Sequence, residues 1–374
     1  MPGTSRGALG LEMFLADLRE LVECESPSSD QAAVARSADL VARIGARRLG
    51  AEPERITIDG CSHLRWRFGD GERQVLLLAH HDTVWPLGTL ATHPYEITGG
   101  VLRGPGCLDM LAGLVMAIHA LADLPERTGV TLLVTGDEEL GSPTSRALIE
   151  QEARRATAAL VLEASADGGA LKVGRKGVSR YEVHVIGRAA HAGLEPEKGV
   201  NTTIELAHLV IAANALGDPA AGTTVTPTVI AAGTTSNTVP ASGSFALDVR
   251  AWSHDEQLRV DRALRSLAPN LPGAAIEIRG GVNRPPLEEP ASRSLFERAV
   301  AVAERLGLPP VSGATVGGAS DGNFTAGVGT PTLDGLGAVG GGAHADHEHV
   351  VVARLLDRTV LVRELVAELR EDGA

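Results

Sequence analysis

The sequence has 374 residues, 44% of them hydrophobic, and a formal net charge of −13 at pH 7. That length gives room for two domains and a large core. The acidic balance argues against a nucleic-acid partner, which needs a basic face to displace counterions.

Taken in chain order, the first twenty residues contain an apolar patch, but Glu12 and Asp17 interrupt it and no small-residue cleavage pattern follows, so no secretory leader is expected. Cys24, Cys61 and Cys107 are odd in number and lack paired spacing, which fits a reducing compartment. The longest apolar stretch, around 111–124, carries His119 and Asp123 and falls short of the ~20 apolar residues needed to span a bilayer. The expectation is a soluble cytoplasmic protein with neither nucleic-acid nor membrane partners.

From about residue 12 to 173, helical patterns alternate with short apolar runs at 75–78, 130–134 and 159–162, which favours an α/β sheet covered by helices on both faces. The first run ends abruptly in His80-His81-Asp82. Next comes the Gly-rich turn Gly104-Pro-Gly-Cys-Leu-Asp109, then the run 130–134 leading into Thr135-Gly-Asp137-Glu138-Glu139, then Val161-Leu-Glu163. Imidazoles and carboxylates at the ends of apolar runs sit where open α/β sheets place ligands, and the set reads as a metal site. Residues 176–286 read differently: strand 179–186, helix 201–216, strands 223–232 and 242–251, helix 254–267 and strand 274–279. That order, βαββαβ, is a split-βαβ unit. After 286 the helix and strand alternation resumes, passes Gly-Gly-Gly-Ala-His344, and closes on an amphipathic helix with Leu355, Leu356, Val362, Leu365, Val366 and Leu369 at helical spacing. If His344 joins the earlier ligands, the third part completes the first domain. The expected division is 1–176 and 287–374 for the metal-binding domain, with 177–286 inserted.

The ordered motifs His80-x-Asp82-Thr-Val, Gly104-Pro-Gly-x-x-Asp109-Met, Thr135-x-Asp137-Glu138-Glu139-x-Gly-Ser142, Glu163, Gly187-x-x-x-His191-Ala-Gly, Ser236-Asn237-x-x-Pro240, Asp248-x-Arg250 and Gly-Ala-His344 carry a resemblance over nearly the whole chain. The sequence resembles the zinc-dependent exopeptidase and amidohydrolase family that includes glutamate carboxypeptidase, aminoacylase, acetylornithine deacetylase and succinyl-diaminopimelate desuccinylase, and most resembles the glutamate carboxypeptidase branch. It departs at Leu111, where the family usually has Lys.

The resemblance implies a mixed sheet flanked by helices, with an inserted ferredoxin-like domain that acts as lid and dimer interface. It implies two Zn2+ per subunit: His80 and Glu163 on one, Glu139 and His344 on the other, and Asp109 bridging. Two such ions can activate a shared water and polarise a scissile carbonyl together. Adjacent side chains leaving a strand point in different directions, which frees Glu138 beside Glu139 as general base. Asp82, two residues after His80 on an extended chain, can accept the other imidazole N–H. Arg250 is the best candidate for a bidentate donor to a substrate carboxylate, against the alternative that it pairs with Asp248. Asn237 suits the same carboxylate and His191 the oxyanion of the tetrahedral intermediate. In the resembled family this histidine reaches into the partner's active site.

Rival readings exist. His81 points away from the ligands, His347 and His349 compete with His344, and Glu348 would either support that segment or be exposed. Gly335-Leu-Gly-Ala-Val-Gly340 matches a dinucleotide fingerprint but is followed by more glycine and a His/Asp/Glu tract, so the match is declined. His-Glu-x-x-His is absent, which excludes a thermolysin-type site. The expected function is a homodimeric two-zinc hydrolase that cleaves an amide or peptide and releases a free amino acid, with C-terminal or N-acylated glutamate first. An N-acyl-amino-acid deacylase or dipeptidase comes second, and a non-catalytic metal-binding scaffold third.

Overall fold

The structure, a computed structural model, describes residues 10–70 and 74–371. Residues 1–9, part of the stretch in which no leader is expected, lie outside them. The chain forms two compact units. One holds the described residues up to Gly174, Glu289–Val316 and those from Ser320 on; the other holds Arg175–Glu288 with Gly317–Ala319.

The first unit is built on a six-stranded sheet in the order Glu54–Ile58, Cys61–Phe68, Val130–Thr135, Val75–His80, Ala158–Val161, Thr332–Leu333. The first two pairings are antiparallel and the remaining three parallel, so the sheet is mixed. Its central strand explains its own sequence. Val75, Leu77 and Ala79 enter one core with residues of helices Leu11–Val22, Gln31–Leu49, Ala112–Ala122 and Leu355–Glu371, while Leu76 and Leu78 enter a second core with Leu148, Ile149 and Phe324. A strand buried on both faces reads as an unbroken apolar run. Burying each leucine contributes roughly 1.5–3 kcal/mol, which pins the strand and therefore the point at which His80 emerges. Strand Cys61–Phe68, on the far side of Val130–Thr135 from this strand, carries no apolar signature, because Ser62, His63, Arg65 and Arg67 mask it as polar; Ser62 and His63 are in fact buried.

Two other features read differently once folded. Asp17, an apparent interruption of the first apolar patch, is fully buried, and its carboxylate accepts hydrogen bonds from Arg47, Arg48 and His119, each at 2.7 Å. Burial raises its pKa, but the His119 and arginine partners outweigh this and hold the carboxyl well below the usual range. The Gly335–Gly340 segment serves close packing. The Gly337 N–H donates to the Glu163 carbonyl at 2.9 Å, and a Cβ at Gly337 would lie 2.2 Å from the Leu162 carbonyl oxygen. Buried Arg358 then ties down the carbonyls of Gly169, Gly335 and Gly337.

The second unit has the βαββαβ order: Gly177–Ile186, Thr202–Asn214, Thr224–Ala232, Ser242–Ala251, His254–Arg265 and Ala275–Arg284. Its sheet is antiparallel throughout, with Gly177–Ile186 and Ser242–Ala251 in the middle and Thr224–Ala232 at one edge, the ferredoxin-like arrangement. Leu206, Leu209, Val260 and Leu264 from the two helices pack on Val183, Val185, Phe245 and Leu247. The last strand continues to Arg284, past the Gly280-Gly281 pair that reads as its end. A Cβ at Gly280 would lie 2.1 Å from the Arg180 carbonyl oxygen, so this glycine permits a close cross-strand approach instead of a turn. No helix among the described residues is long and apolar enough to cross a membrane.

Candidate metal centre

The parallel strands of the first unit end side by side, and polar residues stand at or just past each end. His80 closes its strand, Glu138 and Glu139 open a short 3-10 turn after Thr135, and Glu163 lies two residues beyond Val161. Asp109 sits in the turn before helix Ala112–Ala122, and His344 comes from the glycine-rich loop with φ +63°, a left-handed conformation.

These side chains form two groups that share one residue. His80 Nε2 lies 3.5 Å from Asp109 Oδ1 and 3.6 Å from Glu163 Oε1. His344 Nε2 lies 3.3 Å from Asp109 Oδ2 and 3.2 Å from Glu139 Oε2. The two Asp109 oxygens are thus divided between the two histidines. Two ligands, each ~2.0–2.1 Å from a common tetrahedral ion, stand about 3.3 Å apart, so these separations are those of a coordination shell. His80 Nε2 is also buried without a hydrogen-bond partner, a cost that an ion would remove. The residues fit a metal. Glu138 reaches the same place: ligand atoms of His80, Glu138 and Glu163 lie within 4.8 Å of one another, so distance alone permits it to act as ligand or as base.

Hydrogen bonds around the site set its tautomers and loops. His80 Nδ1 lies 2.9 Å from the backbone carbonyl of Asp82, which requires the proton on Nδ1 and leaves Nε2 free for an ion. The expected partner was the Asp82 carboxylate, which stands farther off at 3.4 Å. The chain turns as it leaves the strand, and the carboxylate instead accepts from Ser28 Oγ at 2.6 Å and from the Glu138 and Glu139 N–H groups at 3.2 Å each. Asp82 therefore braces the Glu138–Glu139 turn. Buried Asp137 accepts from Thr144 and Ser145 through both backbone and hydroxyl, and Asp321 accepts from Ser142 and Thr135. Neither Ser28 nor Asp321 belongs to the motifs that mark the site in the sequence. Ser28 offers no signal in Ser-Pro-Ser-Ser, whereas Ser320-Asp321-Gly-Asn323 at least resembles a polar turn.

The electrostatics predict how metal uptake responds to pH. Burial lowers the His80 pKa, but Asp109, Asp82 and Glu163 outweigh it and push it well above the usual imidazole value. Asp109 and Glu139 raise His344 to about 10, against an opposing contribution from burial. These shifts favour the protonated form of both imidazoles in the metal-free protein, so uptake of an ion is expected to release protons. Calorimetric titration of metal-free protein with zinc in buffers of different ionisation enthalpy should record proton release at pH 7. Affinity should weaken by about tenfold per proton for each unit the pH falls. Binding without proton release at pH 7 would contradict this charge state.

The remaining residues separate cleanly. His81 is buried, with Nδ1 at 3.2 Å from Ser37 Oγ and Nε2 at 3.1 Å from the Ser62 carbonyl, and burial pushes it down to about 4. His347 is exposed, and His349 forms part of the strand His349–Val351 with Nδ1 against the His347 carbonyl. Leu111, in place of the usual Lys, packs in the main core.

His191, Asn237 and Arg250 belong to the second unit. His191 pairs with Thr238 in a two-residue ladder beside Asn237, and its Nδ1 accepts the Gly193 and Leu194 N–H groups at 3.1 and 3.2 Å. The neutral ring therefore carries its proton on Nε2 and can donate it. Arg250 gives its fork to Asp248, at 2.6 and 2.9 Å, the alternative to a substrate carboxylate.

Residues 76–368 match the model of peptidase family M20/M25/M40. The chain is 32% identical over 314 residues to carboxypeptidase G2 of Pseudomonas sp. (strain RS-16), covering 80% of this chain and 75% of that one. It is 26% identical to succinyl-diaminopimelate desuccinylase 2 of Shewanella loihica, covering 83% and 89%. The fold matches an M20 family metallo-carboxypeptidase of Sulfolobus solfataricus with a TM-score of 0.75 at 17% identity, covering 96% and 99%.

Proposed function

Because the chain belongs to peptidase family M20/M25/M40, whose members are metal-dependent hydrolases, we propose that it is a two-zinc enzyme that cleaves an amide or peptide bond and releases a free amino acid, glutamate foremost. The observation that carries this reading is the division of Asp109 between two histidine and carboxylate groups, with Glu138 beside them. His80, Glu163, Asp109, Glu139 and His344 would hold the ions, which when bound supply Lewis acidity toward a carbonyl and lower the pKa of water. Glu138, buried beside the proposed ligands, would take the proton of the attacking water and return it to the leaving amine nitrogen. Asp82 would keep Glu138 and Glu139 in register through their backbone N–H groups.

His191 would donate Nε2–H to the oxyanion, and Asn237 and Arg250 would receive the substrate carboxylate, which would have to displace Asp248 from the guanidinium. The family resemblance supports these three roles. Assembly as a homodimer through the second unit is supported by its apolar surface. Val229 and Ile230 on the edge strand Thr224–Ala232 and Ile204 and Ile211 on helix Thr202–Asn214 are exposed.

The substrate is tested with N-acyl amino acids and dipeptides, assayed with zinc and after chelation. Turnover should be highest on substrates ending in free glutamate, vanish on chelation and return with zinc. Turnover confined to small N-acyl groups would favour a deacylase, in line with the desuccinylase relative, and turnover on none would favour a scaffold.

A further inference from the structure

Glu348 stands four residues after His344 on the same loop and is 3% exposed. Its Oε1 accepts the N–H of Leu108 at 2.7 Å and of Asp109 at 3.0 Å. Its Oε2 accepts the N–H of Gly106 at 3.1 Å and the indole Nε1–H of Trp85 at 2.7 Å. One carboxylate thus fills both oxygens with donors from the turn that carries Asp109 and from the segment just after His80 and Asp82. The same loops meet in a small antiparallel sheet. Gly340–Gly341, which leads to His344, pairs with His349–Val351, and that strand pairs with Val101–Arg103, which leads to Asp109. The sheet sets the distance between the two loops to within a strand spacing, but it ends short of the ligands themselves. Beyond its end, Glu348 makes the connection.

We infer that Glu348 is a positioning residue for the metal pair, locking the backbone of Asp109 to the loop of His344 so that the bridging carboxylate meets both histidines. The inference rests on the two-metal reading of the site. Among its four donors is the backbone N–H of Asp109 itself, the residue that would bridge the two ions. A carboxylate buried against backbone N–H groups costs little only while all its acceptor positions are used, as they are here. Gln is nearly isosteric but accepts on one oxygen only, and its amide would face two of the four donors. Glu348→Gln therefore loosens the Asp109 turn without emptying the space, whereas Glu348→Ala removes every contact.

The experiment compares wild type, Glu348→Gln and Glu348→Ala for zinc affinity in chelator-buffered solutions, with circular dichroism confirming the fold of each. Glu348→Gln should remain folded and bind its weaker zinc ~10- to 100-fold less tightly, the range over which partners of metal ligands act. Glu348→Ala should lose more. Unchanged affinity in folded Glu348→Gln, even with a lower melting temperature, would overturn the inference and leave Glu348 a structural residue. A wild type that takes up a single ion would sink the two-ion reading instead, and Glu348 would still be judged by the affinity for that ion.

Discussion

Glu138→Gln should leave the bound zinc in place and lower the rate of hydrolysis by ~10² to 10⁴, the usual contribution of a positioned general base. The amide keeps the size of the side chain and loses only the capacity to take a proton. Metal content is the decisive measurement, because Glu138 lies within 4.8 Å of the ligand atoms of both His80 and Glu163 and is placed well enough to coordinate. Zinc at the wild-type level with a collapsed rate assigns it the proton. Loss of an ion would make it a ligand and would pass the role of base to Glu139. Glu139→Ala is the control and should lose one ion, since its Oε2 stands 3.2 Å from His344 Nε2.

Mixing two inactive variants, His191→Ala and Glu138→Ala, should restore about a quarter of wild-type activity once subunits exchange. The expectation comes from a two-fold dimer in which His191 serves the partner's site. About half the dimers are then mixed, and one of the two sites in each has both residues. If His191 serves its own chain, every site lacks one residue and activity stays at zero. A silent mixture with exchange verified by mass spectrometry would therefore end the shared-site reading, as would a fully active monomer. The hydrogen bonds at His191 make its chemical part reasonable, because Nδ1 is engaged by two backbone N–H groups and Nε2 is left as the donor.

Much of this protein is legible in one dimension because its signals are local or repeated. The strand Val75–His80 is buried on both faces and therefore unbroken in its hydrophobicity, and His80 at its end needs no tertiary information to be noticed. The βαββαβ order of the second unit comes from the alternation of strand and helix periods, and its ferredoxin-like sheet matches that expectation. Strand Cys61–Phe68 and buried Asp17 were hidden because a polar residue in the chain looks the same whether water or a buried partner satisfies it. For the same reason the sequence could say that Asp82 lies near His80 but not which atom would serve it. The direction in which the chain leaves the strand turns the carboxylate toward Ser28 and the Glu138–Glu139 turn, and hands the imidazole to a backbone carbonyl. Glu348 is the extreme case. Its three backbone donors lie 239 to 242 residues away in the chain, and the pairing of Val101–Arg103 with His349–Val351 brings the two segments together. A sequence determines which groups can bind an ion; which of them are held still enough to do so depends on hydrogen bonds that close only when distant segments meet.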